Sequence, residues 1–191
     1  MTFGHPANSG SAVDINPATA VARNARGRTC ASVNETLPHL RFTSQWTSEE
    51  VTWSNSRGHL LLRHADGADL TVELQRCARG RLRNAYPVSS HDLEVQVGGA
   101  ESTDVLTASL GAVVTAIEAA EPQCRRIVYA VDTDGSFSGA VGRLSVIAAA
   151  EAAGFRYVVD VDLADAELSL LVAEPRWVTE VDMDLDHVPG T

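Results

Sequence analysis

From residue 93 onward the apolar positions switch between two periods. Leu93–Val97 alternates apolar and polar side chains like a strand, with Glu94 facing away from Leu93 and Val95. The loop Gly98–Asp104 breaks the pattern. Val105, Leu106, Leu110, Val113, Val114 and Ile117 then recur at helical spacing. Ser102, Thr103 and Asp104 supply cap chemistry ahead of them, and Pro122 stops the run, so a helix is predicted from Val105 to Ala120. Arg126–Val131 is apolar at nearly every position, as in a strand covered on both faces. A second helix is predicted near Gly139–Ala152, carrying Val141, Leu144, Ile147 and a run of alanines, with Gly154 at its C-terminal cap. Two strands, Arg156–Asp162 and Glu167–Val172, close the run.

The preceding third reads as an antiparallel meander. His59–His64 and Asp69–Arg76 have strand patterning, and Asp66-Gly67 between them is a hairpin signal. Ala78-Arg79-Gly80 marks another turn before Arg81–Tyr86. Upstream, Thr47-Ser48-Glu49-Glu50 resembles a helix start, with a hydroxyl cap and acids in the first turn, although Val51-Thr52-Trp53 has strand character. The expectation there is a short helix or turn.

Residues 1–30 are rich in small and polar side chains without periodicity, which predicts a disordered leader. One domain is expected over residues 31–178. Residues 179–191, with Asp182, Asp184 and Asp186, form an acidic tail.

Composition narrows the chemistry. A chain of 191 residues with 45% hydrophobic content suits one globular domain. Fifteen basic against 25 acidic residues give a net charge of −10, which argues against non-specific nucleic-acid binding. All the basic residues are arginine, so a Walker-type phosphate loop and Schiff-base lysine chemistry are excluded. Cys30, Cys77 and Cys124 stand far apart with no Cys-x-x-Cys or Cys/His cluster; no structural metal is expected, and a reducing cytoplasmic setting fits. The N-terminus has no apolar signal region, and no segment reaches membrane-spanning length in unbroken apolar residues, so neither secretion nor membrane association is expected.

The order strand–loop–helix–strand–helix–strand–strand, with "AAAEAAGFRYVVDVDL…ELSLLVAEP" as its closing element, resembles the GNAT-type N-acetyltransferases over roughly residues 58–175. The resemblance implies an α/β (α+β) fold: a mixed, mostly antiparallel sheet flanked by helices. It implies acetyl-CoA as cosubstrate, lying between splayed strands Leu93–Val97 and Arg126–Val131. Val95 and Val97 would pair with the pantetheine arm. The loop amides from Gly99 through Ser102, Thr103 and Asp104 would hold the pyrophosphate, as a helix N-terminus suits an anion. The family's Gln/Arg-x-x-Gly-x-Gly/Ala loop is replaced here by Gly98-Gly99-Ala100-Glu101-Ser102-Thr103-Asp104. Ala150 stands where many members have a tyrosine that protonates the leaving thiolate.

Amide formation needs a base for the amine proton and a donor to the developing oxyanion. Glu94 and His91 are the candidate bases, with Asp92 able to orient His91. Against this, the commoner reading of such positions is a surface carboxylate for Glu94 and a turn histidine without a catalytic role for His91. Ser136, Ser138 and Gly139 read as helix caps or cofactor contacts. Asp132 and Asp134 lack the second acidic cluster a metal would need. His59 and His64, five apart on a strand, face opposite sides. Arg79, Arg81 and Arg83 form a basic strip that reads as a solvated turn or a phosphate contact. The sequence thus points to an acetyl-CoA-dependent N-acyltransferase acting on an amine of a small molecule or protein, or to a catalytically silent binding protein of the same fold. A homodimer is compatible with either.

Overall fold

Strand alternation and one tight turn build the first half of the sheet. In the computed structural model, β1 (Trp46–Trp53), β2 (Arg57–His64) and β3 (Asp69–Arg76) form an antiparallel meander. Gly67, with φ +97°, makes the β2–β3 turn, a conformation in which a Cβ is unfavourable. Residues 36–43, 45–133 and 142–175 are described, together with Met1, and those from Thr36 onward belong to one folded unit. The N-terminal leader, the acidic tail, Asp134, Ser136, Ser138 and Gly139 lie outside the described residues.

The helix start expected at Thr47–Glu50 is a strand instead. Glu49 and Glu50 pair with Leu61 and Leu60 of β2, and a bulge lies between Glu50 and Thr52. Cross-strand pairing and the β-branched, aromatic run Val51-Thr52-Trp53 outweigh a local capping signal. The meander also stops earlier than its pattern suggested. After β3 the chain makes two short 3-10 turns, Cys77–Arg79 and Arg81–Asn84, that bury Cys77 and Leu82 against the sheet.

The second half alternates as expected: β4 (Leu93–Gly98), α1 (Thr103–Ala120), β5 (Ile127–Asp132), α2 (Arg143–Ala152), β6 (Arg156–Asp162) and β7 (Glu167–Ala173). The seven strands lie in the order β1-β2-β3-β4-β5-β7-β6, and among the described residues β4–β5 is the one parallel pair.

Both α-helices cover one face. Leu106, Leu110, Val113 and Ile117 of α1 and Val146 and Ala150 of α2 join the core formed with Leu62, Val72, Val95, Val97 and Tyr129. By length and composition α1 could cross a membrane, but this buried stripe is what a core helix presents. On the opposite face Cys77 and Leu82 pack with Val128, Ala130, Leu168 and Leu170 over β5 and β7. Over β3 and β4 that face is polar and partly open, with Glu73, Gln75 and Gln96 half-buried.

Candidate functional site

The parallel pair β4–β5 is short. It holds over Leu93↔Ile127, Glu94↔Val128 and Val95↔Tyr129 and then ends. Beyond that point Val97 and Gly98 stay paired with Val72 and Thr71 of β3, while Ala130, Val131 and Asp132 stay paired with β7. Each strand is held by its outer neighbour, so the two diverge and a wedge opens between them. The Leu93 amide points to the β5 side, donating to Arg126 O at 3.2 Å. The two-residue strand period carries the peptide groups of Val95 and Val97 to that same edge. Val97 lies past the last paired residue, so its N–H and C=O face the wedge. Unpaired strand edges of this kind accept an extended ligand as an added strand.

The wedge runs into the loop before α1. Gly99 takes φ +83°, and Ala100 is buried beneath the loop. Ser102 caps α1: its backbone is extended, and its Oγ accepts from the Val105 amide at 3.3 Å. Among the described residues, no backbone acceptor meets the amides of residues 99–104. These free donors and the helix dipole suit an anion. Thr103 and Asp104 form the first turn, and the exposed carboxylates of Glu101 and Asp104 stand beside the same amides. They also line a cavity of about 680 Å³ with Asp66, Asp69, His64 and Trp46, between α1 and the β2–β3 turn.

Glu94 sits where the two strands separate, on the face away from the helices. It is not the surface carboxylate its alternation allowed: its side chain is 3% exposed. Arg81 Nε donates to Glu94 Oε1 at 2.8 Å, and Gln96 Nε2 donates to the same oxygen at 3.3 Å. Arg81 Nη1 also donates to Asp132 Oδ1 at 3.3 Å, so one guanidinium spans from β4 to the end of β5. Burial pulls the Arg81 pKa down, but Glu94 and Asp132 outweigh it and hold the guanidinium above its ordinary value. Arg81 is thus an interior ion-pair partner rather than part of a solvated basic turn. Sequence pattern missed it, because its partners lie 13 and 51 residues away.

A cavity of about 350 Å³ opens here, lined by Glu94, Arg81, Gln96, Glu73, Arg57 and Arg79 among others. Glu94 Oε2 and Arg81 Nη2 are both buried, and among the described residues neither has a hydrogen-bond partner.

His91 is brought nowhere near this opening. It precedes β4, at the closed end of the pair, with Nδ1 3.4 Å from Glu121 Oε1. Asp92 does not orient it. Asp92 is fully buried and accepts from the backbone amides of Ser89 (2.7 Å), Arg125 (3.1 Å) and Arg126 (3.0 Å), tying the β4 and β5 entries together. Glu121 also receives buried Arg76 at 2.6 Å, and Arg76 donates to His91 O at 2.9 Å. His91 and Asp92 therefore belong to a structural network at the end of the sheet opposite the wedge.

The remaining candidates disperse. Tyr129 faces α2, its ring 5.9 Å from that of Phe155, and burial pushes its pKa up. Tyr157 is exposed on edge strand β6. Ala150 is fully buried against the core. His64 pairs with Asp66 at 3.2 Å and packs on Trp46. Cys77 and Cys124 are buried free thiols; burial pushes Cys124 up to about 12 and raises Cys77 further, so neither is a nucleophile at neutral pH.

No protein-family model matches this chain, and no curated protein matches it in sequence. Solved structures do match in shape. An uncharacterized protein (bh2621) from Bacillus halodurans superimposes with TM-score 0.54 at 18% identity, over 66% of this chain and 63% of that one. The chain therefore spans less than two thirds of that protein's length. Aminoglycoside acetyltransferase AAC(6')-Ib in complex with coenzyme A gives TM-score 0.52 at 14% identity, over 66% of this chain and 70% of that one. The same enzyme with paromomycin and acetyl-CoA gives 0.51 at 15%, over 68% and 71%. At these identities the likeness establishes the fold, which is that of the GNAT acyl-CoA acetyltransferases.

Proposed function

We propose that this chain transfers an acyl group from acetyl-CoA to an amine. The observation that carries the reading is the parting of β4 from β5 after Val95↔Tyr129, with the Val97 peptide groups turned into the gap. The donors present fit the cosubstrate: the strand-edge groups of Val97 for an extended arm, beginning just past Val95, the last residue paired with β5, and free amides from Gly99 through Ser102, Thr103 and Asp104 for phosphate oxygens. The carboxylates of Glu101 and Asp104 oppose that second contact.

Acetyl-CoA supplies the acyl thioester; the new C–N bond replaces its C–S bond, and the thiolate leaves to take a proton. The amine must give up a proton, and Glu94, beside the apex of the wedge with Oε2 unpartnered among the described residues, is the proposed acceptor. Arg81 holds the other oxygen and so fixes the carboxylate's orientation. The Val97 amide, aimed into the gap, is the donor for charge developing on the acyl oxygen. With Ala150 in place of a tyrosine, protonation of the thiolate falls to water.

A second reading is supported by the same ion pair. Glu94 Oε1 is already taken by Arg81 and Gln96, a structural pairing that suits a protein that binds acyl-CoA without turnover. Acetyl-CoA titration by calorimetry, with thiol release followed over a panel of amines, separates the two. Saturable binding with amine-dependent thiol release supports transfer. Binding without release supports the silent protein, and absence of both rejects the site.

A further inference from the structure

The two ends of the sheet differ in what they offer. β1 closes it on one side and β6 on the other, each with a single strand neighbour among the described residues. An open strand edge presents unpaired N–H and C=O groups to another strand. On β1, Glu49 and Glu50 sit side by side at the centre, so two copies meeting there would set like charges against each other. β6 carries both signs around an apolar middle. Arg156 begins it, Tyr157-Val158-Val159 follows, and Asp160 and Asp162 stand at its end.

Exposure picks out the same edge. Tyr157, Val158 and Val159 are exposed, and a bulge leaves Val158 without a partner residue on β7. Leu144, 79% exposed, lies in the first turn of α2. Its neighbour Arg143 brings that turn over β6, with Nη2 3.4 Å from Asp160 Oδ1. Apart from Met1 and Val51, these four are the exposed large apolar side chains among the described residues. Apolar exposure gathered in one place, rather than scattered singly, points to an interaction surface.

We infer that the free edge of β6 pairs antiparallel with β6 of a second copy of this chain, giving a two-fold dimer with one continuous sheet. A two-fold axis sets a surface against itself, so the surface must be self-complementary. β6 meets that demand. Reversing its direction brings the Arg156 end of one copy beside the Asp160–Asp162 end of the other, twice over, with apolar residues meeting between them. Arg156 is on the surface, no closer than 3.9 Å to Glu174. Parallel pairing would instead align like charges. The chain's own acidic stretch, residues 179–191, suits this edge poorly. It would lay Glu180, Asp182, Asp184 and Asp186 along a strand that already carries two aspartates. β5 and β7 separate β6 from β4, so the inference does not rest on the acyl-transfer reading.

The test is analytical ultracentrifugation of the full chain from about 1 to 100 µM, repeated for Arg156→Asp and Asp162→Arg, two exposed positions. The native chain should sediment as a dimer. Arg156→Asp makes both ends of the strand acidic, and Asp162→Arg sets arginine against arginine. Each variant alone should therefore dissociate about tenfold or more readily, with unchanged circular dichroism. An equimolar mixture of the two variants should regain native affinity, because opposite charges meet again. A native chain that stays monomeric throughout would overturn the inference. In such a monomer, β6 amides protected from hydrogen exchange would assign the edge to the chain's own tail. A dimer that neither variant weakens would place the interface elsewhere, and a mixture no tighter than its components would remove the antiparallel pairing.

Discussion

Arg81 donates through Nε to Glu94 at 2.8 Å and through Nη1 to Asp132 at 3.3 Å, so the side chain that pairs the candidate base also reaches across to the strand that parts from it. The candidate base and the end of β5 thus share one guanidinium.

Glu94→Gln should remove the proton acceptor while preserving shape. Amine-dependent thiol release is expected to fall about 10²- to 10⁴-fold, with acetyl-CoA affinity unchanged by calorimetry. Full turnover in this variant would exclude Glu94 as the base. Arg81→Ala leaves the carboxylate buried without its partner and should cost about 1–3 kcal/mol in urea denaturation.

Glu101 and Asp104 stand beside the amides proposed to hold the pyrophosphate. Neutralising each, as Glu101→Gln or Asp104→Asn, should relieve about 1 kcal/mol of repulsion and tighten acetyl-CoA binding about fivefold at low salt. Asp104→Asn should also lose about 0.3–1 kcal/mol of stability, because an acid in the first turn of α1 complements the helix dipole. Weaker binding in both variants would place the phosphates elsewhere.

Gly99 turns the chain from β4 into the α1 loop at φ +83°, and a Cβ there would lie 3.4 Å from Asp69 O. Gly99→Ala should destabilise the protein by about 1–2 kcal/mol, measured by chemical denaturation. Reorientation of the loop amides should weaken acetyl-CoA binding in parallel. A variant as stable as the parent would mean the loop readjusts freely.

Alkaline stability follows from the buried thiols. Cys124 rises from an ordinary 9.0 to about 12, and Cys77 rises as well, so the folded state prefers both neutral. Their contribution is complete below about pH 9 and is lost as pH rises toward 12, because only the unfolded chain ionises there. Denaturant midpoints should fall across that window, and Cys124→Ala should flatten the decline. In a Cys30→Ser background, iodoacetamide at pH 8 should modify neither remaining thiol until the protein is unfolded.

Much of the architecture was legible because it is written in short-range patterns. The six-residue alternation of β4, the apolar stripe of α1 and the Gly154-Phe155 close of α2 each show within a few turns of chain. The helix start at Thr47–Glu50 failed because its acids pair across to Leu60 and Leu61 rather than capping a turn. Glu94 was visible as a candidate, but its burial was not, since the residues that cover it come from the 3-10 segment after β3. His91 and Asp92 adjoin it in sequence yet serve the opposite end of the strand.

From β2 to β3 and again from β4 onward, the chain alone determined which segments extend, which coil, and where glycine turns them, since backbone preference and side-chain period act over neighbouring residues. Only the tertiary structure decided that β4 abandons β5 after three pairs, and that Arg81 reaches both. Those features depend on competition between partners far apart in the chain. β3 retains β4, β7 retains β5, and the space left between them belongs to no local pattern.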